Sequence, residues 1–178
     1  MKPVYEYPTP VSVPANSNVA NTTSDAYFYD AWKINSILPE LDPLDQFLRV
    51  LSTTPRWVDF LMVLRNHIAR LFGLKNLGKL SDIDLCKPSS EYKIGERVGI
   101  FTLIDKNEHE ALLGDNDKHL KVIVSIHKNL EPLNGKVQVT VSTIVHIKSW
   151  VGRLYMLPVK PAHHIIARSM TKIIGNAI

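Results

Sequence analysis

Asp115, Asn116, Asp117 and His119 form the densest cluster of polar side chains in the chain. A carboxylate beside a histidine can serve as orienter and general base, or join a distant third ligand in a metal site. The same spacing suits a turn between two strands, where Asp and Asn bond their own backbone and tolerate unusual φ, so turn chemistry alone accounts for the cluster. His163 and His164 make a second centre. Neighbours on a helix point about 100° apart, so at most one of the two is expected to meet a sheet. Asp30 is a third point of interest, read either as a solvent-facing charge or as a carboxylate aimed into a cavity. No Gly-rich phosphate loop, H-E-x-x-H, G-x-S-x-G or paired-Cys motif occurs, which removes the common cofactor and nucleophile signatures. No cofactor and no metal site is expected. If the chain is a catalyst, His163, His119 and Asp117 are its candidates.

The whole chain bounds these readings. Its 178 residues, 45% hydrophobic and 21% charged, suit one globular core. The 21 basic residues against 17 acidic ones give a mild net +4 with no cationic run, so nucleic acid is not the expected partner. Cys86 is the one cysteine and excludes an intrachain disulfide. No apolar run approaches the roughly 18 residues of a spanning helix, and Met1 to Pro10 hold no apolar signal core. No integral membrane segment is expected, and a cytoplasmic location follows by default.

The elements that must position these groups follow from periodicity. Residues 1–25, with Pro3, Pro8, Pro10 and Pro14, read as an extended arm ahead of a single domain over 26–178. Ala26 to Ile34 reads as a strand at a sheet edge, with Phe28, Asp30 and Trp32 on one side. Asp42-Pro43, with Asp45 in the first turn, starts a helix of about ten residues ending near Ser52. Thr54-Pro55 starts another, in which Trp57, Phe60, Leu61, Leu64, Ile68, Leu71 and Phe72 form an apolar stripe expected to be core, with Gly73 closing it. Arg56, Asp59, Arg65, Asn66 and Arg70 fall on its opposite, solvated face. His67 flanks the stripe as a half-buried hydrogen-bonding residue. Leu74 to Glu96 reads as a surface loop.

An antiparallel meander follows: Val98 to Ile104, Glu108 to Leu113, His119 to Lys128 and Lys136 to Ile147, with turns at Asp105 to Asn107 and Gly114 to Lys118. Asn134-Gly135 is a strong hairpin signal, because both central positions of a type I′ turn need positive φ. In the last of these strands Val137, Val139, Val141, Thr143, Val145 and Ile147 share a face. Leu120, Val122, Val124 and Ile126 share one in the strand before it. A short strand, Arg153 to Leu157, then follows a turn at Gly152, and Pro161 opens a closing helix with Ile165, Ile166, Ile173 and Ile174 at helical spacing. The order excludes a doubly wound fold and a sandwich. It leaves an α+β helix-grip, a curved antiparallel sheet wrapped around a long C-terminal helix.

That order resembles the START-like or Bet v 1-like (SRPBCC) superfamily, in which sheet and terminal helix enclose an apolar cavity. Thr54-Pro55-Arg56-Trp57, Leu64-Arg65-Asn66, Leu71-Phe72-Gly73-Leu74-Lys75, Val98-Gly99-Ile100-Phe101, Gly114 through Leu120, Gly152-Arg153-Leu154-Tyr155-Met156 and Val159-Lys160-Pro161 are similar, over about Ala26 to Met170, to the bacterial family catalogued as domain of unknown function 2867. That pattern usually places an acidic residue and an arginine where this chain has Lys121 and Ile123, and Pro-Phe-His-Arg where it has Pro161 to His164. The departures weaken any site that relies on those charges. His163 is the histidine that fits the resemblance, expected near Arg153 or Tyr155.

The expected function is binding of a small apolar or amphipathic molecule between sheet and helix, without catalysis, with Arg153, Tyr155, His146, Trp57 and Ile166 as ligand contacts. A cofactor-free enzyme on the same scaffold would use His163 or His119 as base and Arg153 or Tyr155 to polarise a carbonyl. A third reading is an interaction module, a homodimer formed through a sheet edge or the 1–25 arm.

Overall fold

The alternation in the last two long strands decides the centre of the molecule. The structure, a computed structural model, describes residues 6–71, 73, 77–133 and 135–176. Pro3, Phe72, Leu74, Lys75 and Asn134, each of which carries an expectation above, lie outside them. The strands are β1 (Thr9–Pro10), β2 (Phe28–Asn35), β3 (Arg97–Val98), β4 (Phe101–Lys106), β5 (Glu110–Asn116), β6 (Leu120–Leu133) and β7 (Lys136–Ile147). They form one curved antiparallel sheet in the order β1-β2-β7-β6-β5-β4-β3. The helices are α1 (Pro43–Ser52), α2 (Arg56–Leu71) and α3 (Trp150–Ile174).

The β6–β7 register pairs Val122 with Val145, Val124 with Thr143 and Ile126 with Val141. Because strand side chains alternate, these six share one face. The opposite face carries Ile123, Ser125 and His127 against Ile144, Ser142 and Thr140. Gly135 turns the hairpin at φ +73°, where an L side chain would be strained. The arm covers the second face: Val19 packs there with Leu112, Ile123 and Ile144. Glu110, also buried there, accepts from Ser17 Oγ and Ser125 Oγ, both at 2.5 Å, and from the Asn18 amide at 2.8 Å.

Several boundaries differ from expectation. The first strand is not the edge, because β1 pairs outside it. Gly114 lies inside β5 rather than in a turn: a Cβ there would stand 2.7 Å from the Val122 carbonyl oxygen, a close approach only glycine allows. Leu80 and Tyr92, in the stretch expected to be a surface loop, are buried in the main core. α1 starts on Asp42, whose Oδ1 accepts from the Asp45 amide at 2.7 Å. Thr54 donates to the Leu51 carbonyl at 2.7 Å and so finishes α1.

The two larger corrections concern α2 and α3. The apolar stripe of α2 is divided: Trp57, Phe60, Leu64 and Leu71 are 41, 67, 47 and 83% exposed, while Leu61 and Ile68 are half-buried. The buried face is Val58, Met62, Asn66 and Ala69. Polar anchors set this rotation. Asn66 Nδ2 donates to the Gly78 carbonyl at 2.9 Å, its Oδ1 accepts from the Leu77 amide at 3.3 Å, and Asp59 accepts from the Ser81 hydroxyl at 2.5 Å. Asp59 and Asn66 therefore do not sit on a solvated face, whereas His67 is exposed.

The expected Arg153 to Leu157 strand is instead the start of α3. Ser149 caps it, Oγ accepting from the Gly152 amide at 3.3 Å. A Cβ on residue 152 would lie 2.5 Å from the His119 carbonyl oxygen, so Gly152 serves close approach and not a turn. Pro158 and Pro161 both lie inside the helix. Each lacks the N–H that would bond four residues back, freeing the carbonyls of Leu154 and Leu157. Both residues are exposed, so water can satisfy the freed groups.

Candidate ligand site

The face shared by β6 and β7 does not close onto the helices. Between them lies a cavity of about 360 Å³. Val122, Val124, Ile126, Val141, Thr143 and Val145 form its floor. α3 supplies Tyr155, Ile166 and Met170, α1 supplies Phe47 and Val50, and α2 supplies Leu61, Met62 and Ile68. The volume falls within the range of small-molecule sites, and the lining is almost wholly aliphatic or aromatic.

Besides Thr143 of the floor, four polar features interrupt that lining. Arg65 Nε donates to the Tyr155 hydroxyl at 2.6 Å, and its guanidinium lies 5.4 Å from the Tyr155 ring centroid. Burial pushes the Tyr155 phenol up, Arg65 opposing, so at neutral pH the group keeps its proton and remains a donor. Thr171 lines the cavity with Oγ1 buried and without a hydrogen-bond partner among the described residues. Asp115 is buried at the wall with Arg97 Nη1 3.8 Å away. The fourth feature is His163, on the cavity wall, with Nε2 3.1 Å from Asp30 Oδ1.

Asp30 is the hub of a compact cluster. Its carboxylate, 11% exposed, also takes His164 Nδ1 at 3.4 Å and Trp32 Nε1 at 3.1 Å on Oδ2. Phe28 meets both imidazoles edge to face, at 5.5 and 5.6 Å. The expectation that only one histidine could reach the sheet is therefore corrected: the two oxygens of one carboxylate span the 100° between them. His163 pairs with β2, eight residues or about 12 Å along α3 from Tyr155.

The other sequence candidates are dispersed. Tyr155 and Ile166 line the cavity. Arg153 lies on the exposed side of α3 and Trp57 on the outer side of α2. His146 lies on the far face of β7, 3.7 Å from Asp25 of the arm. Asp117 Oδ1 accepts from the backbone amides of His119 and Leu120 at 2.6 and 2.9 Å, the self-bonding of a turn. His119 Nδ1 lies 2.8 Å from Ser149 Oγ, tying that turn to the α3 cap, and its Nε2 is buried without a partner among the described residues.

Arg65, Asp115 and Phe28 line the cavity although periodicity did not single them out for it. For Arg65 a signal existed: it stands four residues after Leu61 and three before Ile68, beside the stripe and not opposite it. Among the described residues no group of three or more His, Cys, Asp or Glu side chains is placed to hold a metal ion. No described helix is long and apolar enough to cross a membrane.

A family model described as "Protein of unknown function (DUF2867)" matches residues 22–170. No curated protein and no solved structure matches the chain.

Proposed function

The chain belongs to the DUF2867 family, and from that footing we propose that it binds a small apolar or amphipathic molecule in the cavity between the sheet and α3, without catalysing a reaction. The observation that carries the reading is the cavity of about 360 Å³ walled by apolar side chains of β6, β7 and all three helices. The architecture agrees in outline with the helix-grip arrangement of START-like proteins. The polar end of the ligand lies at Arg65 and Tyr155, a cation beside a protonated phenol, which favours a carboxylate or another anionic oxygen group. Native mass spectrometry of the protein purified from its own host tests this. A copurifying apolar or amphipathic molecule, lost on denaturation, is the expected result. Protein that carries nothing and takes up no lipid-like dye contradicts it.

A second reading has one observation in its favour, the His163–Asp30 pair at the cavity wall. In the tautomer that donates from Nε2 to Asp30, Nδ1 is the accepting nitrogen. That is the arrangement of an oriented general base. The same preparation separates the two readings: a copurified molecule that wild type converts and His163→Asn leaves intact favours the enzyme.

A further inference from the structure

Four residues of the α2 stripe face out, and the surface beside them on α3 is apolar too. Leu154 and Leu157 are exposed on α3, as Trp57, Phe60, Leu64 and Leu71 are on α2. The two faces join at the cavity. Leu64 of α2 and Pro158 of α3 both line it and both reach solvent. The apolar wall therefore continues onto the outer surface of the molecule.

Charge is distributed unequally. α2 and α3 hold seven Lys and Arg side chains against one acidic residue, Asp59, a net +6. The whole chain is only +4, so the remainder is net negative. Arg56, Arg70, Arg153, Lys160 and Arg168 are exposed. Asp59 is engaged with Ser81. An exposed apolar stripe flanked by cations, with an aromatic residue among its members, is the pattern of a helix that lies in a membrane interface.

We propose that the outer faces of α2 and α3 dock the protein on an anionic lipid surface, so that the cavity loads from the bilayer through the opening beside Leu64 and Pro158. The proposal rests on the ligand-binding reading above. The apolar side chains enter the acyl boundary and the cations meet the headgroups. α2 is held over the cavity by the Asp59 and Asn66 anchors and by Arg65 on Tyr155. Binding then depends on both anionic lipid and ionic strength.

The test uses the full chain with vesicles of phosphatidylcholine, alone or with 30 mol% phosphatidylglycerol, in a flotation assay. Binding to cis-parinaric acid is measured in parallel without vesicles. Wild type is expected to float with the phosphatidylglycerol vesicles only and to release at high salt. Brominated acyl chains should quench its tryptophan emission. Arg56→Gln and Arg70→Gln should each weaken partition about fivefold. Phe60→Glu with Leu157→Glu should abolish it while far-ultraviolet circular dichroism and cis-parinaric acid binding stay unchanged.

Failure of wild type to bind the vesicles, with cis-parinaric acid still bound in solution, overturns the docking surface and leaves the ligand site standing. Failure of both overturns both. Equal binding to the two vesicle types overturns the role of the cations. If sedimentation shows wild type to be a dimer that Phe60→Glu with Leu157→Glu dissociates, and no vesicle binding occurs, the face joins two copies and the proposal is wrong.

Discussion

Tyr155 is buried and its oxygen takes the Arg65 Nε–H bond, so removing that oxygen should be felt twice. Tyr155→Phe keeps the ring against the cavity and removes one acceptor of the Arg65 guanidinium. A cost of about 1.5 kcal/mol is expected, read as a lower melting temperature. If the ligand's anionic end sits there, cis-parinaric acid should also bind about tenfold more weakly to Tyr155→Phe, and its methyl ester should be insensitive to the change. Equal losses for acid and ester would place the polar end elsewhere. On the far face, His127 is buried between Glu110 and Thr140, its cross-strand partners. Burial lowers its pKa, with Glu110 pulling the other way and His109 reinforcing the shift. In the unfolded chain a histidine titrates at about 6.5. Below that pH the unfolded chain takes up a proton that the folded one refuses, so this contribution is complete above about 6.5 and is lost as pH falls through the window beneath it. His127→Gln should therefore make the melting temperature less dependent on pH between 7.5 and 5.5. An unchanged slope would assign the acid sensitivity to other groups.

At the scale of elements, α2 shows how a pair of hydrogen bonds can overrule a hydrophobic pattern. Asn66 holds the loop at Leu77 and Gly78. Asn66→Ala should release it at a cost of about 2 kcal/mol, and amide exchange should accelerate across α2 while β6 and β7 keep their protection. Uniform acceleration throughout the chain would mean that α2 belongs to the cooperative core. The contrast explains what could be read beforehand. β7 was legible from Lys136 to Ile147 because strict alternation and the following β-branched residues leave one register, and α1 was legible because Asp42, Pro43 and Asp45 specify its start locally. The facing of α2 was not, because it depends on loop carbonyls and amides that no periodicity reveals. α3 was misread at its start because Gly152 and two prolines argue locally against a helix, whereas a serine cap and close packing under His119 decide for one. The Asp30 cluster was hidden for a similar reason: residues 133 apart meet only when β2 lies beside α3.

For the whole molecule, the sheet has two covered faces that differ in kind. The arm and the Glu110 network fill one face with hydrogen bonds, which specify position. The three helices cover the other and leave space, and they also carry the excess positive charge. A chain of this size needs both layers to bury enough surface, so the cavity represents stability left unclaimed in the interior. The proposed ligand binding would use that unfilled volume and the apolar path leading to it. Ala162 is a small residue on the cavity wall of α3. The most direct measurement is a fluorescence titration of wild type and Ala162→Phe with cis-parinaric acid, with the melting temperature of each recorded alongside. Wild type should bind one equivalent, and Ala162→Phe should bind at least tenfold more weakly while melting at the same or a higher temperature. Undiminished binding by a stably folded Ala162→Phe, or no binding by wild type, would contradict that proposal.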